Sequence, residues 1–469
     1  MGADIKDQTR PLTEEERQYT SRMLKEQYER IFPEIISNLN GKHDPGRFGI
    51  ETEYHCVDQN CNVIPNGAKE VIKRYSEVVG DCADFMLELN SSPFQVIDEG
   101  SSLCLEELTH KEEKMRQAVI DAHGTQPVPI GIIPTFSTDM TLLDFIPERQ
   151  RAKLINPYIM DFMKDDDLIF TEKGTGFKIN YGKMPSGGLM NSLHISVSGK
   201  DDRQSAMLYN LANALCAPMI ALAANSSVVD GKITTCEDAH LFVYEQNKEI
   251  VNGVPRVGNV PFYLDSLHDN FRAMLEFNPI FGYNEKDPLG SIHNHFSSTW
   301  PWIRAQVNNF YRVEFRPIPK QPTLSEDMAV STVYLYGLLA LEEEHRGIVD
   351  SDHSIREYCN KELFPEGHLI ANTQSAAMGG YEAPINWKGK MTTAGEALKE
   401  VYHKGLDYAR NHGVSKENID IMRIAEPRIY NAMNPARRFR AEVERLGFDD
   451  AMQRYYEHTI DRRDTPYIR

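Results

Sequence analysis

Cysteine is scarce and scattered. Seven occur in 469 residues, at positions 56, 61, 82, 104, 216, 236 and 359, with no Cys-x-x-Cys. That spacing excludes a disulfide framework and fits reduced thiols in a cytoplasmic protein. Positive charge is also in deficit. Lys and Arg total 51 against 69 Asp and Glu, a net charge of −18, which excludes nonspecific nucleic-acid binding through a basic face. No apolar stretch approaches the ~18–20 residues that a membrane span needs. The longest apolar run, around Ala217–Ala224, reads as a buried helix. Met1-Gly2-Ala3-Asp4-Ile5-Lys6 carries no apolar signal core, and Lys6 stands where myristoylation requires Ser or Thr. The chain has no Gly-x4-Gly-Lys-Ser/Thr run and no kinase signature set. It has neither an internal repeat nor a low-complexity segment.

What it does have is charge placed on strands. Arg47-Phe48-Gly49-Ile50-Glu51-Thr52-Glu53-Tyr54 reads as a strand after a Pro-Gly turn. Residues two apart on a strand share a face, so Glu51 and Glu53 point the same way. A dry face does not hold two ionised carboxylates without cations, and divalent metals are the usual partners; on a wet face both would simply be solvated. Asp84–Pro93 forms a second apolar strand carrying Glu88. In Met190–Ser198, His194 shares a face with Ser192, Ser196 and Ser198, opposite Leu193, Ile195 and Val197. In Phe310–Arg316, Arg312, Glu314 and Arg316 share one face, and Tyr311, Val313 and Phe315 the other. A sheet gathering these strands would collect carboxylates, an imidazole and guanidiniums. The first two suit Mg²⁺ or Mn²⁺, and arginines beside metals suit phosphoryl oxygens. Together they describe phosphoryl transfer.

The order Gly49-x-Glu51-x-Glu53, Leu87-Glu88-Leu89-Asn90, His194-Ile195-Ser196-Val197, Ala221-Leu222-Ala223-Ala224-Asn225-Ser226-Ser227 and Val313-Glu314-Phe315-Arg316-Pro317 resembles the second glutamate–cysteine ligase family. This carboxylate–amine ligase family belongs to the glutamine synthetase superfamily. The resemblance covers roughly residues 45–345 and includes His293-x-His295, Thr299-Trp300-Pro301-Trp302-x-Arg304 and Gln321-Pro322-Thr323. It implies an α+β fold, with a curved, mostly antiparallel sheet forming a funnel and helices outside. ATP would enter one end and the amino-acid substrates the other. Carried over by residue, Glu51, Glu53, Glu88, His194 and Glu314 are the implied metal ligands, and Arg316 the implied phosphate-facing arginine. Arg312 and Arg304 are implied for a substrate carboxylate or a phosphate. The implied reaction joins an amino-acid carboxylate, such as glutamate, to an amine such as cysteine or another amino acid, through an acyl phosphate. The alternative is a metal- and nucleotide-dependent amide hydrolase on the same scaffold. Small-molecule substrates and ATP are the expected partners, without nucleic acid or membrane.

Residues 1–345 are expected to form the catalytic domain. Residues 346–469 form a helical segment that packs on it or mediates homo-oligomerisation. Helices are expected at 13–33, with a Thr13–Glu16 capping box, and at 67–79, 102–122, 203–224, 325–345, 394–411, 415–432 and 436–458. A hairpin is expected at 47–57 and 62–65, and a strand at 127–134. Gly174-Thr175-Gly176 and Pro185–Gly188 are turns or mobile loops over the site. Asp165–Asp167 reads as a solvated loop. Asn210, Asn213, Asn225, Asn308 and Asn309 are suited to caps and turns or to touching nucleotide. His293 and His295 are either near substrate or bonded to backbone. Cys56 and Cys61 flank a turn and are bystanders or a redox-responsive pair. Arg437, Arg438 and Arg440 read as a solvated face paired with Glu442 and Glu444.

Overall fold

A computed structural model describes residues 5, 8–39, 46–98, 100–137, 145, 147, 150–162, 169–170, 176–177, 186–245, 247–307, 311–461 and 465–468. Asp165–Asp167, Asn308, Asn309, Gly174, Thr175 and Pro185 lie outside them. The framework is one seven-stranded sheet of β1 (Arg47–His55), β2 (Val79–Gly80), β3 (Met86–Asn90), β4 (Phe94–Gln95), β5 (Ser192–Ser198), β6 (Ile303–Val307) and β7 (Tyr311–Pro319). The spatial order is β6-β7-β5-β1-β3-β2, with β4 beside the start of β1. Every pairing in this sheet is antiparallel.

Alternation along these strands sorts the side chains. Ile50, Thr52, Tyr54, Leu193, Ile195, Val197, Val313 and Phe315 are all buried on one face. Long helices cover that face: α2 (Gly100–His123), α3 (Asp202–Ala223) and α4 (Leu324–Glu344). α3 is long and apolar enough to cross a membrane by length and composition, which corrects the expectation from run lengths. That whole apolar stretch is buried inside the protein, so its composition is that of a core helix.

The expected capping box forms. Thr13 N–H donates to Glu16 Oε2 at 2.8 Å and Glu16 N–H to Thr13 Oγ1 at 3.3 Å, opening α1 (Glu14–Leu39). The helix expected at 67–79 stops at Arg74, and Val79 enters β2. The strand expected at 127–134 is extended chain with isolated bridges, His55 to Val128 and Ile132 to Met190. After residue 345, α5 (Ala394–Asn411) packs on α4 and α3. The α4–α5 contact is backbone to backbone: a Cβ on Gly405 would lie 2.9 Å from the Gly337 nitrogen, and one on Gly337 would lie 2.5 Å from Val401 Cγ1. The helix expected at 415–432 breaks into Lys416–Arg423 and Glu426–Asn431, around Pro427, which supplies no N–H to continue the first. The helix expected at 436–458 breaks at Gly447, whose φ of 86° no helix accepts.

Buried polar links tie these helices to α4. Arg428 donates to Gln321 Oε1 at 2.5 Å and Glu326 Oε1 at 2.6 Å, and the Tyr467 N–H donates to the same Glu326 oxygen at 3.0 Å. At the start of α4, Asp327 pairs with buried Lys320 and accepts from the Gln321 N–H at 3.0 Å. It also accepts from Thr52 Oγ1 at 3.0 Å. Thr52 is the residue between Glu51 and Glu53, so the strand is pinned from behind. Arg437 and Arg440 are not a solvated face. Arg437 pairs with Glu237 at 2.6 Å and also with Glu382, while Arg440 donates to the Thr234 and Cys236 carbonyls. Only Arg438 pairs with Glu442 as expected, at 3.1 Å.

Candidate metal and phosphate site

Register brings the charged residues together. Glu51 lies opposite His194 and Asn90, and Glu53 opposite Glu88. Glu314 lies opposite Ser196 on one side and Arg304 on the other. Residues directly opposite in an antiparallel pair share a face. All five residues singled out as metal ligands therefore meet on the polar face.

They form two trios. One ligand atom from each of Glu51, His194 and Glu314 lies within 4.8 Å of the others, and so do those of Glu53, Asp81 and Glu88. His194 bridges the trios, with Nδ1 3.2 Å from Glu51 Oε2 and Nε2 4.0 Å from Glu53 Oε1. Asp81 is the residue that reading the sequence missed. It sits in Gly80-Asp81-Cys82-Ala83-Asp84 between β2 and β3, where no alternation marks a face. The neighbouring Asp84 is spent on structure, accepting from the Asn66 N–H at 2.9 Å.

The trios differ electrostatically. Among the described residues no lysine or arginine pairs with Glu53, Asp81 or Glu88. Glu53 accepts from the Ser192 N–H at 2.6 Å, and Glu88 from Asn90 Nδ2 at 2.7 Å. Burial, then Asp81 and Glu88, hold Glu53 well above the usual carboxylate range. Burial, then Glu51 and Asp81, push Glu88 up to about 8. Three gathered carboxyls without a protein cation are a fit for a hard divalent ion. In the other trio, burial and then Arg316 lower His194, leaving a neutral imidazole able to donate a lone pair. Burial opposes charge on Glu314, yet Arg304 and Arg316 hold it well below the usual range.

The arginines are placed unequally. Arg304 grips Glu314 with Nε and NH2, at 2.5 and 3.0 Å, and Gln306 adds a third bond at 2.8 Å. Arg312 is turned to Gln306. Arg316 reaches Glu314 Oε1 at 3.1 Å and lies 3.4 Å from His194 Nδ1, while its Nε is enclosed and meets no acceptor. Arg316 thus keeps a donor that no carboxylate holds, with the Tyr244 hydroxyl close by, beside the metal trio. Arg304 is held on Glu314 through Nε and NH2.

Other candidates fall elsewhere. Asn225 is spent in the core, its amide donating to the Lys320 carbonyl at 2.7 Å and to Tyr455 Oη at 3.1 Å, so the nucleotide role drawn for it is corrected to a structural one. Asn210 likewise closes a pair of bonds with Leu264. His295 is buried with Nε2 2.9 Å from the Met274 carbonyl, the backbone-bonded alternative. Cys56 and Cys61 are both free and buried, and burial pushes the Cys61 thiol up to about 12, an unreactive setting.

Two carboxylate-rich trios beside arginines on one sheet face are of the kind that metal-assisted enzymes use. The family model for glutamate–cysteine ligase family 2 matches residues 47–448, and the chain belongs to that family. A crystal structure of the glutamate–cysteine ligase of Francisella tularensis in complex with AMP is similar, with a TM-score of 0.59 at 12% identity over 91% of each chain. A crystal structure of a bifunctional glutathione synthetase from Pasteurella multocida is similar at a TM-score of 0.55 and 13% identity. That match covers 94% of this chain and 55% of the other, so this chain spans about half that protein's length. At such identities the likeness is one of fold. No curated protein matches the chain.

Proposed function

We propose that this protein is an ATP-dependent carboxylate–amine ligase. One observation carries the reading: two ligand trios converge on one sheet face next to an arginine with a donor that no carboxylate holds. Glu53, Asp81 and Glu88 would hold one Mg²⁺ or Mn²⁺, and Glu51, His194 and Glu314 another. Bound there, the ions would neutralise the ATP phosphates and polarise the transferring group. In this reading the polar face of the sheet would form the floor of a funnel in which ATP and the amino-acid substrates meet from opposite ends. Arg316 would serve the γ-phosphoryl oxygens, whose charge grows as the bond to ADP breaks. The carboxylate oxygen of one substrate attacks the γ-phosphorus and ADP leaves. The amine nitrogen of the second substrate then attacks the acyl carbon, loses a proton, and expels phosphate. Burial of the site keeps water from the acyl phosphate.

The test is a screen of amino-acid and amine pairs with ATP and Mg²⁺, read as ADP and inorganic phosphate. The expected result is phosphate release that needs both substrates and the cation and is lost on chelation. Steady amide cleavage without ATP turnover overturns the ligase in favour of the hydrolase.

A further inference from the structure

Arg151 lies in the helix Gln150–Met160, outside every motif discussed above. Its guanidinium is fixed on two sides. NH2 donates to the Ser297 carbonyl at 2.9 Å and to Ser297 Oγ at 2.7 Å, and the Phe281 ring lies under it with 4.6 Å from Cζ to the ring centroid. Helix residues Leu154, Ile155, Tyr158 and Ile159 hold it there by packing on Ile280 and Phe281, with Trp300 against them. Ser297 begins the short segment that leads through Trp300 into Arg304 on β6.

The third side is unmet. NH1 is enclosed and has no acceptor, and among the described residues no carboxylate pairs with Arg151. The charge felt there is of the same sign: burial and then Arg304 push Arg151 down to about 10, still cationic at neutrality. A fixed, half-buried cation with an enclosed donor, in the field of another cation and lacking a counter-ion, is costly unless something anionic arrives. Arg304 is itself a cation, bonded to Glu314 through Nε and NH2, and supplies no counter-ion.

We infer that Arg151 builds an oxyanion subsite at the Arg304 end of the polar face, its NH1 reserved for an oxygen of a bound substrate. The ligand chemistry is a planar carboxylate or a phosphate, which a guanidinium meets through directed N–H bonds. Two sources offer it, the carboxylate of the amino acid that brings the amine and a phosphate of the nucleotide. The inference rests on the ligase reading and adds a specificity-determining residue to it.

Matched amines separate the sources. Wild-type protein, Arg151→Met and Arg151→Lys are assayed for ATP-dependent phosphate release with alanine against ethylamine and cysteine against cysteamine, each pair differing by the carboxylate. Mg²⁺·ADP binding is measured by calorimetry, and melting temperature reports folding. If the ligand is a carboxylate, Arg151→Met should raise the amino-acid KM by about tenfold or more and erase the preference over the decarboxylated amine. ADP affinity and kcat should hold, and Arg151→Lys should recover part of the preference. If the ligand is a phosphate, ADP affinity should fall by that factor and the amine preference should survive. Unchanged KM values and ADP affinity in a folded Arg151→Met protein overturn the subsite, as does a loss confined to melting temperature. Failure of the wild-type protein to bind Mg²⁺·ADP or release phosphate strikes the ligase reading instead.

Discussion

Replacing Glu53 by glutamine pulls stability and activity in opposite directions. Ligand oxygens of Glu53, Asp81 and Glu88 lie within 4.8 Å of one another. At that spacing two ionised carboxylates repel by about 3 kcal/mol for an effective dielectric of about 20. Burial already opposes charge on Glu53. Glutamine keeps the shape, still offers an oxygen to the Ser192 N–H, and carries no charge. The metal-free variant should therefore be as stable as wild type or about 1–3 kcal/mol more stable. That amounts to about 1–2 °C of melting temperature per kcal/mol in a chain of this size. Magnesium reverses the ranking. An ion that binds only the native state stabilises by about 2.7 kcal/mol at a hundredfold excess over its Kd, and the variant should lose most of that gain. Phosphate release should fall by about a hundredfold or more. Melting scans with EDTA and with graded MgCl₂, beside a phosphate-release assay, give all three readings. A Glu53→Gln protein that melts several degrees lower without metal, yet responds fully to Mg²⁺, would refute the reasoning.

If Arg316 serves the phosphoryl group as proposed, Arg316→Ala should lower kcat by about 10²–10³ with little change in the amine KM; an effect confined to the amine KM would move Arg316 to the substrate pocket. Lys320→Met strands Asp327 as a buried lone charge and should cost about 3–5 kcal/mol in urea unfolding. A loss under about 1 kcal/mol would mean that Thr52 and Gln321 hold Asp327 unaided. Metal-free stability should fall as pH rises from 6.5 to 8. Burial raises Asp238 to about 7, and burial with Glu51 and Asp81 raises Glu88 to about 8, so the native state binds protons that the unfolded chain has released. Buried His55, His240 and His295, lowered to about 3, 3 and 4, act in the other sense and fade by about pH 7.5 as the unfolded imidazoles lose their last protons, so the fall is steepest near that pH. Melting scans in EDTA across that window check the sign, and a rise would contradict it.

The strands were legible because period-two alternation survives whatever packs on it. Glu51, Glu53, Glu88, His194 and Glu314 were each read on the polar side, and the register then set them face to face. What escaped reading lay where no period operates. Asp81 is in an irregular link, and the extended run at 127–134 looks like a strand locally but makes only single bridges. The commitment of Arg304 to Glu314, and of Asn225 to Lys320 and Tyr455, depends on neighbours far along the chain. Helix ends followed local chemistry: Thr393 caps α5, which spans Ala394–Asn411 as expected, whereas Pro427 and Gly447 cut two expected helices.

The central place of β1 bears on how the protein is made. Its pairing with β3 is available almost as soon as both leave the ribosome, but its other edge waits for β5, and the site waits for β7. At about 5–20 residues per second, roughly 15–50 s separate the emergence of Glu51 from that of Glu314. Throughout that interval a nascent chain exposes an unpaired strand edge flanked by apolar side chains, the kind of surface on which chaperones act and aggregates nucleate.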